Sequence, residues 1–270
     1  MMQWNTILFL ILATVPSAFS RHLDYGKTKD QSRKRGENRD DDHNWFLSKS
    51  HLRLHQRPPP VVRVKEGDSE FLECQAGGNP PPRIYWLKGG EMMSKINLQD
   101  ELDIKAFEDS EVSGNKLQIS STTSRLYLDC LSMDDEGDYT CVAETAKLRE
   151  STSTRISVSS SDERKCHDKS IFGRAPRIHQ WTKTMLENQG ESTKIMCRAD
   201  GVPMPSIKWY DPKEREIDAD ESGRYEVLPS GDLIIRNLKW SDMGNYVCVA
   251  ENAHGVAQVE AFVYPANPES

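Results

Sequence analysis

From Pro58 onward, the chain alternates between apolar and polar residues in short runs, and Gly, Pro and Asn separate these runs. Alternation with a period of two is typical of strands that bury one face, and closely spaced turn residues indicate many short strands. This region therefore predicts an all-β fold. Before Pro58 the alternation is absent. This part of the chain consists of a hydrophobic N-terminal run followed by a highly charged stretch.

The alternating region contains two copies of one framework. Each copy has a cysteine, a tryptophan twelve residues later and a tyrosine two residues before a second cysteine. The framework residues are Cys74, Trp86, Tyr139 and Cys141 in the first copy and Cys197, Trp209, Tyr246 and Cys248 in the second. Leu, Asp and Gly also recur at ten, six and four residues before each second cysteine. Repetition of this kind predicts two tandem domains of one fold.

The residues around each second cysteine explain the framework physically. Tyr139, Cys141 and Ala143 alternate, so they face one side of a strand, and the second copy repeats this arrangement. Two such strands on facing sheets can join their sulfurs through the core. The tryptophan then packs on the bridge, and the tyrosine hydroxyl can hydrogen-bond back across the strand corner. The pattern predicts two immunoglobulin-like sandwiches with core bridges Cys74–Cys141 and Cys197–Cys248.

The predicted organisation has five segments. The second domain is the shorter one between its core cysteines, as in the intermediate set of immunoglobulin domains. Its resemblance to that set implies that Arg224 pairs with Asp242 at the lower pole of the domain. The segments are a signal peptide (1–20), a disordered charged arm (21–57), a first immunoglobulin-like domain (58–159), a linker (160–175) and a second such domain (176–266).

Two cysteines remain after the core pairs. Cys130 aligns with Asn237 and should point outward near the end of a strand, at the pole where the last strand of the first domain leaves. Cys166 follows a few residues beyond that exit. We infer a Cys130–Cys166 bridge; two free thiols or an intermolecular disulfide are the alternatives.

The first twenty residues predict secretion. Thr6–Val15 is an apolar run of ten residues, and Ala18 and Ser20 suit signal-peptidase cleavage before Arg21. A membrane span needs about 20 apolar residues, so we expect no membrane span and a soluble, extracellular mature chain in which disulfides form.

The arm that follows carries ten basic and six acidic residues and little apolar content, so disorder is the expectation. The arm has one apolar group, formed by Trp45, Phe46 and Leu47. We expect these residues either to pack against the first domain or to contact a partner. We interpret the basic run Arg33–Arg35 as side chains exposed to solvent. The alternatives are cleavage by a processing protease and a weak contact with heparan sulfate.

No catalytic, nucleotide or metal-ligand motif is present in the chain, and its formal net charge is −7. The acidic run Asp134–Asp138 lacks the ligand spacing of a calcium loop and falls at a strand corner. We therefore expect no enzyme activity, no cofactor, no metal site and no nucleic-acid partner.

The first domain is longer than the second between its core cysteines, and the additional residues follow Trp86. They suggest added strands or a long loop at one edge. Their apolar side chains are either partner contacts or simple packing of extra strands. The candidate contacts are Met92, Met93, Ile96, Leu98 and Phe107.

Three stretches carry a family resemblance: SGDLIIRNLKWSDMGNYVCVAENAHGVAQVEAFVYP, PRIHQWTKTM and QRPPPVVRV. They resemble secreted two-immunoglobulin proteins of invertebrates, namely the zwei Ig domain neuronal proteins and the insect neural/ectodermal development factor that binds insulin-like peptides. The resemblance implies an extracellular binding protein for a polypeptide or a neuronal surface protein. Two roles compete: maintenance of axon and neuron position, or sequestration of insulin-like peptides that dampens insulin signalling. A homophilic adhesion ligand and a secreted enzyme are the alternatives outside the family.

Overall fold

The computed structural model describes residues 50–93, 118–145, 147–160, 173–217 and 223–267. Strands account for nearly all regular structure in these ranges, with single 3₁₀ turns at Met133–Asp135 and Trp240–Asp242. No helix in this part of the chain is both long and apolar enough to traverse a bilayer. The all-β prediction is confirmed.

The first domain is a sandwich of two sheets. Strands β1, β3 and β6 form one layer, and the second layer has the order β2-β8-β7-β4-β5. The strands are β1 (His51–Gln56), β2 (Val61–Lys65), β3 (Glu70–Asn79), β4 (Arg83–Lys88), β5 (Glu91–Met92), β6 (Gln118–Leu128), β7 (Gly137–Glu144) and β8 (Arg149–Ser159).

The second domain repeats this plan. Strands β16, β15 and β12 form one layer, β10, β14 and β13 form the other, and β9 pairs with both β11 and β16. The strands are β9 (Arg174–Asn188), β10 (Thr193–Ile195), β11 (Cys197–Val202), β12 (Ser206–Tyr210), β13 (Tyr225–Val227), β14 (Leu233–Ile235), β15 (Gly244–Asn252) and β16 (Gly255–Ala266).

Each core is built around one disulfide and its framework tryptophan, and the second core also buries Trp181. Cys74 is bonded to Cys141, and Cys197 is bonded to Cys248. The indole nitrogens keep hydrogen bonds inside the cores: Trp86 donates to Ser124 Oγ at 3.1 Å, and Trp209 donates to the Gly231 carbonyl at 2.9 Å. A buried indole that is also hydrogen-bonded adds packing without the cost of an unpaired polar group.

The strand corners before β7 and β15 close in the same way. Tyr139 Oη donates to the Asp135 carbonyl at 2.8 Å, and Tyr246 Oη donates to the Asp242 carbonyl at 3.1 Å. Both are tyrosine corners, in which a buried ring fixes the turn between facing sheets.

The two corners differ in the cation that supports them. In the second domain, Arg224 forms an ion pair with Asp242, as the resemblance to the intermediate set implies. In the first domain, Lys88 of β4 lies there, with Nζ 2.9 Å from the Asp134 carbonyl and 3.5 Å from Asp135 Oδ1. Burial raises the pKa of Asp135, but hydrogen bonds from Ser132 and the charge of Lys88 outweigh it and hold the pKa below its usual value.

The folded part of the first domain begins earlier than predicted. The prediction of a disordered arm up to residue 57 is wrong for His51–Gln56, which form β1 and pair with β3. Leu54 is buried in the core, and its N–H donates to Glu150 Oε2 at 2.9 Å. Polar residues alternate with Leu52 and Leu54 here, so the segment has little apolar content although it forms a strand that buries one face. Trp45, Phe46 and Leu47 lie outside the described residues.

Cys130 follows β6 with a left-handed backbone (φ 50°), as does Asn237 at the equivalent place in the second domain. Cys130 is disulfide-bonded. The predicted partner, Cys166, lies outside the described residues, and the pairing stays a prediction.

We predict that Asp135→Asn destabilises the chain at neutral pH by about 1 kcal/mol, because it weakens hydrogen bonds to a charged acceptor. The folded pKa of Asp135 lies below the unfolded value of about 3.9. Its contribution is therefore present above about pH 4 and lost as pH falls through the folded pKa. Urea unfolding at pH 7 and at about pH 2.5 checks this, with Asp134→Asn as the control. Equal effects at both pH values would contradict it.

Candidate protein interface

The two domains are joined by direct strand pairing. β6 of the first domain pairs antiparallel with β9 of the second, from Gln118 opposite Glu187 to Ser124 opposite Gln180. The second half of β9 also pairs in parallel with β16. One sheet therefore runs through both domains in the order β1-β3-β6-β9-β16-β15-β12. We call it the shared sheet.

Where β9 pairs with both β6 and β16, the two cores lie on the same side of the shared sheet. Cys74 of the first core is opposite Ser124, Ser120 is opposite Met185, and Met185 is opposite Val263 of the second core. Directly paired residues share a face, and so do residues an even number of positions apart on one regular strand. The second layer of each domain therefore packs against one face. We call the opposite face the open face; it is covered at Thr123, because the paired Trp181 belongs to the core of the second domain.

Arg125 of β6 links the domains on the open face. Its guanidinium carbon lies 5.0 Å from the ring centroid of Trp181 in the second domain and 5.2 Å from that of Phe71 in the first. Arg125 also forms an ion pair with Glu73. Burial lowers the pKa of Arg125, but hydrogen bonds to Glu73 and Tyr127 outweigh it and hold the pKa above its usual value. The cation thus stays charged between the two aromatic rings.

A second contact group secures the same boundary. Arg177 of β9 forms an ion pair with Asp129 and stacks 5.0 Å from the centroid of the Tyr127 ring. Tyr127 Oη donates to the Ile178 carbonyl at 3.3 Å. These contacts restrict the relative orientation of the two sandwiches in addition to the strand pairing.

The open face carries a run of uncharged positions on four adjacent strands, bordered by the exposed Glu260 of β16 opposite Val247 and by Lys208 of β12 opposite Val249. Ile119, Leu186 and Tyr264 form one row across β6, β9 and β16, because they occupy paired positions. In a chain with 29% charged residues, such a stretch is unusual. Depletion of charge is typical of the core of a protein–protein interface. The uncharged outward positions in this run are Ile119, Ser121, Thr184, Leu186, Phe262, Tyr264, Asn245, Val247 and Val249.

One end of this run exposes large apolar side chains. Phe262, Tyr264 and Met243 are each 38% exposed, and Trp240 is 51% exposed. The Trp240 and Tyr264 rings meet edge to face, with centroids 5.8 Å apart. We call these four residues the aromatic patch. Aromatic and methionine side chains grouped in this way are the usual anchors of protein interfaces.

The first domain shows that the fold does not require the aromatic patch. Register and template place Arg155, Ser157 and Glu136 where the second domain has Phe262, Tyr264 and Met243. Arg155 pairs with Asp138 at 3.3 Å, and Glu136 Oε2 accepts the Val158 N–H at 3.1 Å. Only the fourth position is apolar in both domains, as Met133 and Trp240. The patch is thus a property of this surface and not of the sandwich.

The two predicted contact residues that the structure describes lie elsewhere. Met92 and Met93 are exposed, at 51% and 37%, but they lie at β5, the edge of the first domain's other sheet. Ile96, Leu98 and Phe107 lie outside the described residues. Sequence reasoning missed Phe262 and Tyr264, although their alternation with buried Ala261 and Val263 was a usable signal.

Within the described ranges, no group of three or more His, Cys, Asp or Glu side chains is placed to hold a metal ion.

Comparison with known proteins shows the family of the chain. The immunoglobulin domain family model matches residues 53–145 and 175–252. The chain is 36% identical over 203 residues to Zwei Ig domain protein zig-3 of Caenorhabditis elegans, covering 75% of this chain and 76% of the relative. It is 30% identical over 215 residues to Neural/ectodermal development factor IMP-L2 of Drosophila melanogaster, covering 79% and 76%. The chain belongs to the immunoglobulin family, among its zwei Ig two-domain members.

The similarity to a solved relative extends over both immunoglobulin domains. The crystal structure of IMP-L2 matches with a TM-score of 0.63 and 26% identity, covering 82% of this chain and 98% of that chain. As a member of this immunoglobulin group, the chain is a binding protein and not an enzyme.

We predict that Arg125→Ala lowers the free energy of unfolding by about 1–2 kcal/mol, because it removes a cation that both domains contact. Arg155→Ala, whose ion pair lies within the first domain, should cost less than about 0.5 kcal/mol. Urea unfolding of the two variants checks this. Equal destabilisation would contradict a role for Arg125 at the domain boundary.

Proposed function

We propose that this chain is a secreted, non-enzymatic binding protein that captures an extracellular polypeptide on the open face, with insulin-like peptides as the ligand class. The observation that carries the proposal is the row of uncharged positions that crosses from Ile119 in the first domain through Leu186 to Tyr264 and the aromatic patch in the second. A ligand on this row would touch both domains at once.

The shared sheet gives that ligand a suitable platform. Strands lie about 4.8 Å apart, so the six strands from β3 to β12 span about 24 Å. A face of this size can supply much of the roughly 800 Å² that each partner buries in a standard interface. Because strand pairing fixes the two domains before binding, the ligand does not bear the cost of ordering them.

The ligand class follows from the family. IMP-L2 matches this chain across both domains, and the resemblance implies binding of insulin-like peptides. Capture would act by occlusion: a peptide held on the open face cannot present the same surface to its receptor. Insulin signalling would be dampened without any chemical step.

A second function is favoured by a different observation. The 36% identity to zig-3 favours a neuronal role. In that case the same face would bind a neuronal surface protein and maintain the position of axons and neurons.

The decisive experiment measures binding of an insulin-like peptide to the mature chain by titration calorimetry. We expect binding at about micromolar peptide or tighter. The variant Phe262→Arg/Tyr264→Ser, which copies the residues of the first domain, should weaken binding at least tenfold because it removes two anchors. Val61→Ser, on the first domain's other sheet, should leave binding unchanged.

The outcomes separate the candidates. Absence of peptide binding together with binding to neuronal membranes would replace the hormone role with the axonal role. Self-association of the chain would favour homophilic adhesion. Peptide binding that the double variant leaves unchanged would show that the open face is the wrong site.

A further inference from the structure

We propose that β2, an edge strand of the first domain, binds an extended acidic segment of a partner protein by strand addition. β2 lies at one edge of the sheet β2-β8-β7-β4-β5, which is the other layer of the first domain and not the shared sheet. The site is therefore separate from the open face and does not rest on the proposed function.

The outer edge of β2 presents backbone groups that can receive a further strand. β2 pairs in parallel with β8, and the Arg155 N–H donates to the Pro60 carbonyl at 2.9 Å, just before β2 begins. Backbone groups alternate between the two sides of a strand, so the N–H and C=O of Val61 and Arg63 point away from β8. No residue of the described ranges bonds to these groups on that side.

The open part of this edge is short and has two defined ends. At one end the chain turns back: the Lys65 N–H donates to Asp68 Oδ2 at 3.0 Å, and the Asp68 N–H donates to the Lys65 carbonyl at 3.0 Å. At the other end lies the run Pro58–Pro60, whose residues have no N–H. Between these ends, Val61–Arg63 can pair with about three residues of an antiparallel partner strand.

The second domain shows that the same edge accepts a strand. Its equivalent of β2 is the second half of β9, which pairs in parallel with β16 as β2 pairs with β8. Thr184 and Leu186 of β9 correspond to Val61 and Arg63, because their partners on β16 and β8 are equivalent. β6 pairs antiparallel with β9 at both positions. This edge is therefore filled in the second domain and open in the first.

The side chains of β2 determine which partner fits. Val62 and Val64 pack against the core of the first domain, so the odd-numbered side chains face outward. Arg63 and Lys65 are exposed, and neither forms an ion pair with a residue of the described ranges. The nearby Asp68 carboxylate already accepts the Lys65 N–H. Opposite charges on paired strands are stabilising, so the edge favours a peptide whose acidic residues alternate with apolar ones.

A second copy of this chain fits the edge less well. Antiparallel pairing of two β2 strands would bring the Arg63 side chains of both copies close together, and like charges on paired strands are destabilising. Basic side chains on an edge strand thus disfavour self-pairing. An acidic partner gains from the same side chains, which is why we assign the edge to it.

The test titrates the isotope-labelled mature chain with a short capped peptide that alternates valine and glutamate, and follows the backbone amides by NMR. We expect binding at about millimolar peptide or tighter. Exchange of the Val61 and Arg63 amides should slow by about tenfold or more at saturation. The same peptide N-methylated at alternate residues cannot form the strand hydrogen bonds and should not bind. A version with lysine in place of glutamate should bind about tenfold more weakly.

Two substitutions at one position separate backbone pairing from charge. Arg63→Pro removes the outward N–H and no bond to β8, and an edge strand tolerates proline when its N–H side faces solvent. This variant should abolish binding. Arg63→Gln keeps the N–H and should weaken binding only about threefold. If Arg63→Pro does not fold, the N-methylated peptide on the unaltered chain still decides the question.

Three results would overturn the proposal. The first is the absence of any change at the Val61 and Arg63 amides with millimolar peptide. The second is equal binding of the N-methylated peptide, and the third is a heparin fragment that binds these residues in preference to the peptide; either would show a basic patch without strand addition. Binding of an insulin-like peptide should be the same in Arg63→Gln as in the unaltered chain, so this site and the open face can fail independently.

Discussion

The pairing of β6 with β9 is the constraint on which the rest of the structure depends. An edge strand exposes backbone N–H and C=O groups that need partners, and here β9 of the second domain satisfies those of β6. The pairing buries small polar side chains, among them Ser120, Thr122 and Thr182. It turns two sandwiches on a linker into one body whose register determines which face is open.

The open face follows from that register, and its chemistry follows from the difference between the repeats. Where the first domain places Arg155 and Ser157, the second exposes Phe262 and Tyr264. An exposed aromatic pair adds little to the stability of an isolated sandwich, so we attribute its presence to binding at this surface. Binding by both domains at once is the consequence of this surface that the proposed function uses.

Much of the fold could be predicted because its determinants are local. The framework cysteines, Trp86 and Trp209 have fixed spacing, and each core needs them whatever the neighbouring domain does. The domain pairing was not predictable in this way, since Ser120–Ser124 look like the solvated side of a strand and their partners lie some sixty residues away. The candidate contacts at Met92 and Met93 were chosen for apolar character alone, which does not reveal which sheet a residue joins.

Amide hydrogen exchange of the mature chain tests the central claim most directly, because it reports on the backbone hydrogen bonds between the domains. If β6 and β9 are paired in solution, peptides covering Ser120–Ser124 and Thr182–Glu187 exchange as slowly as those from the core strands β3 and β7. Exchange of these two peptides within seconds, while β3 and β7 stay protected, would show two independent sandwiches and contradict the account.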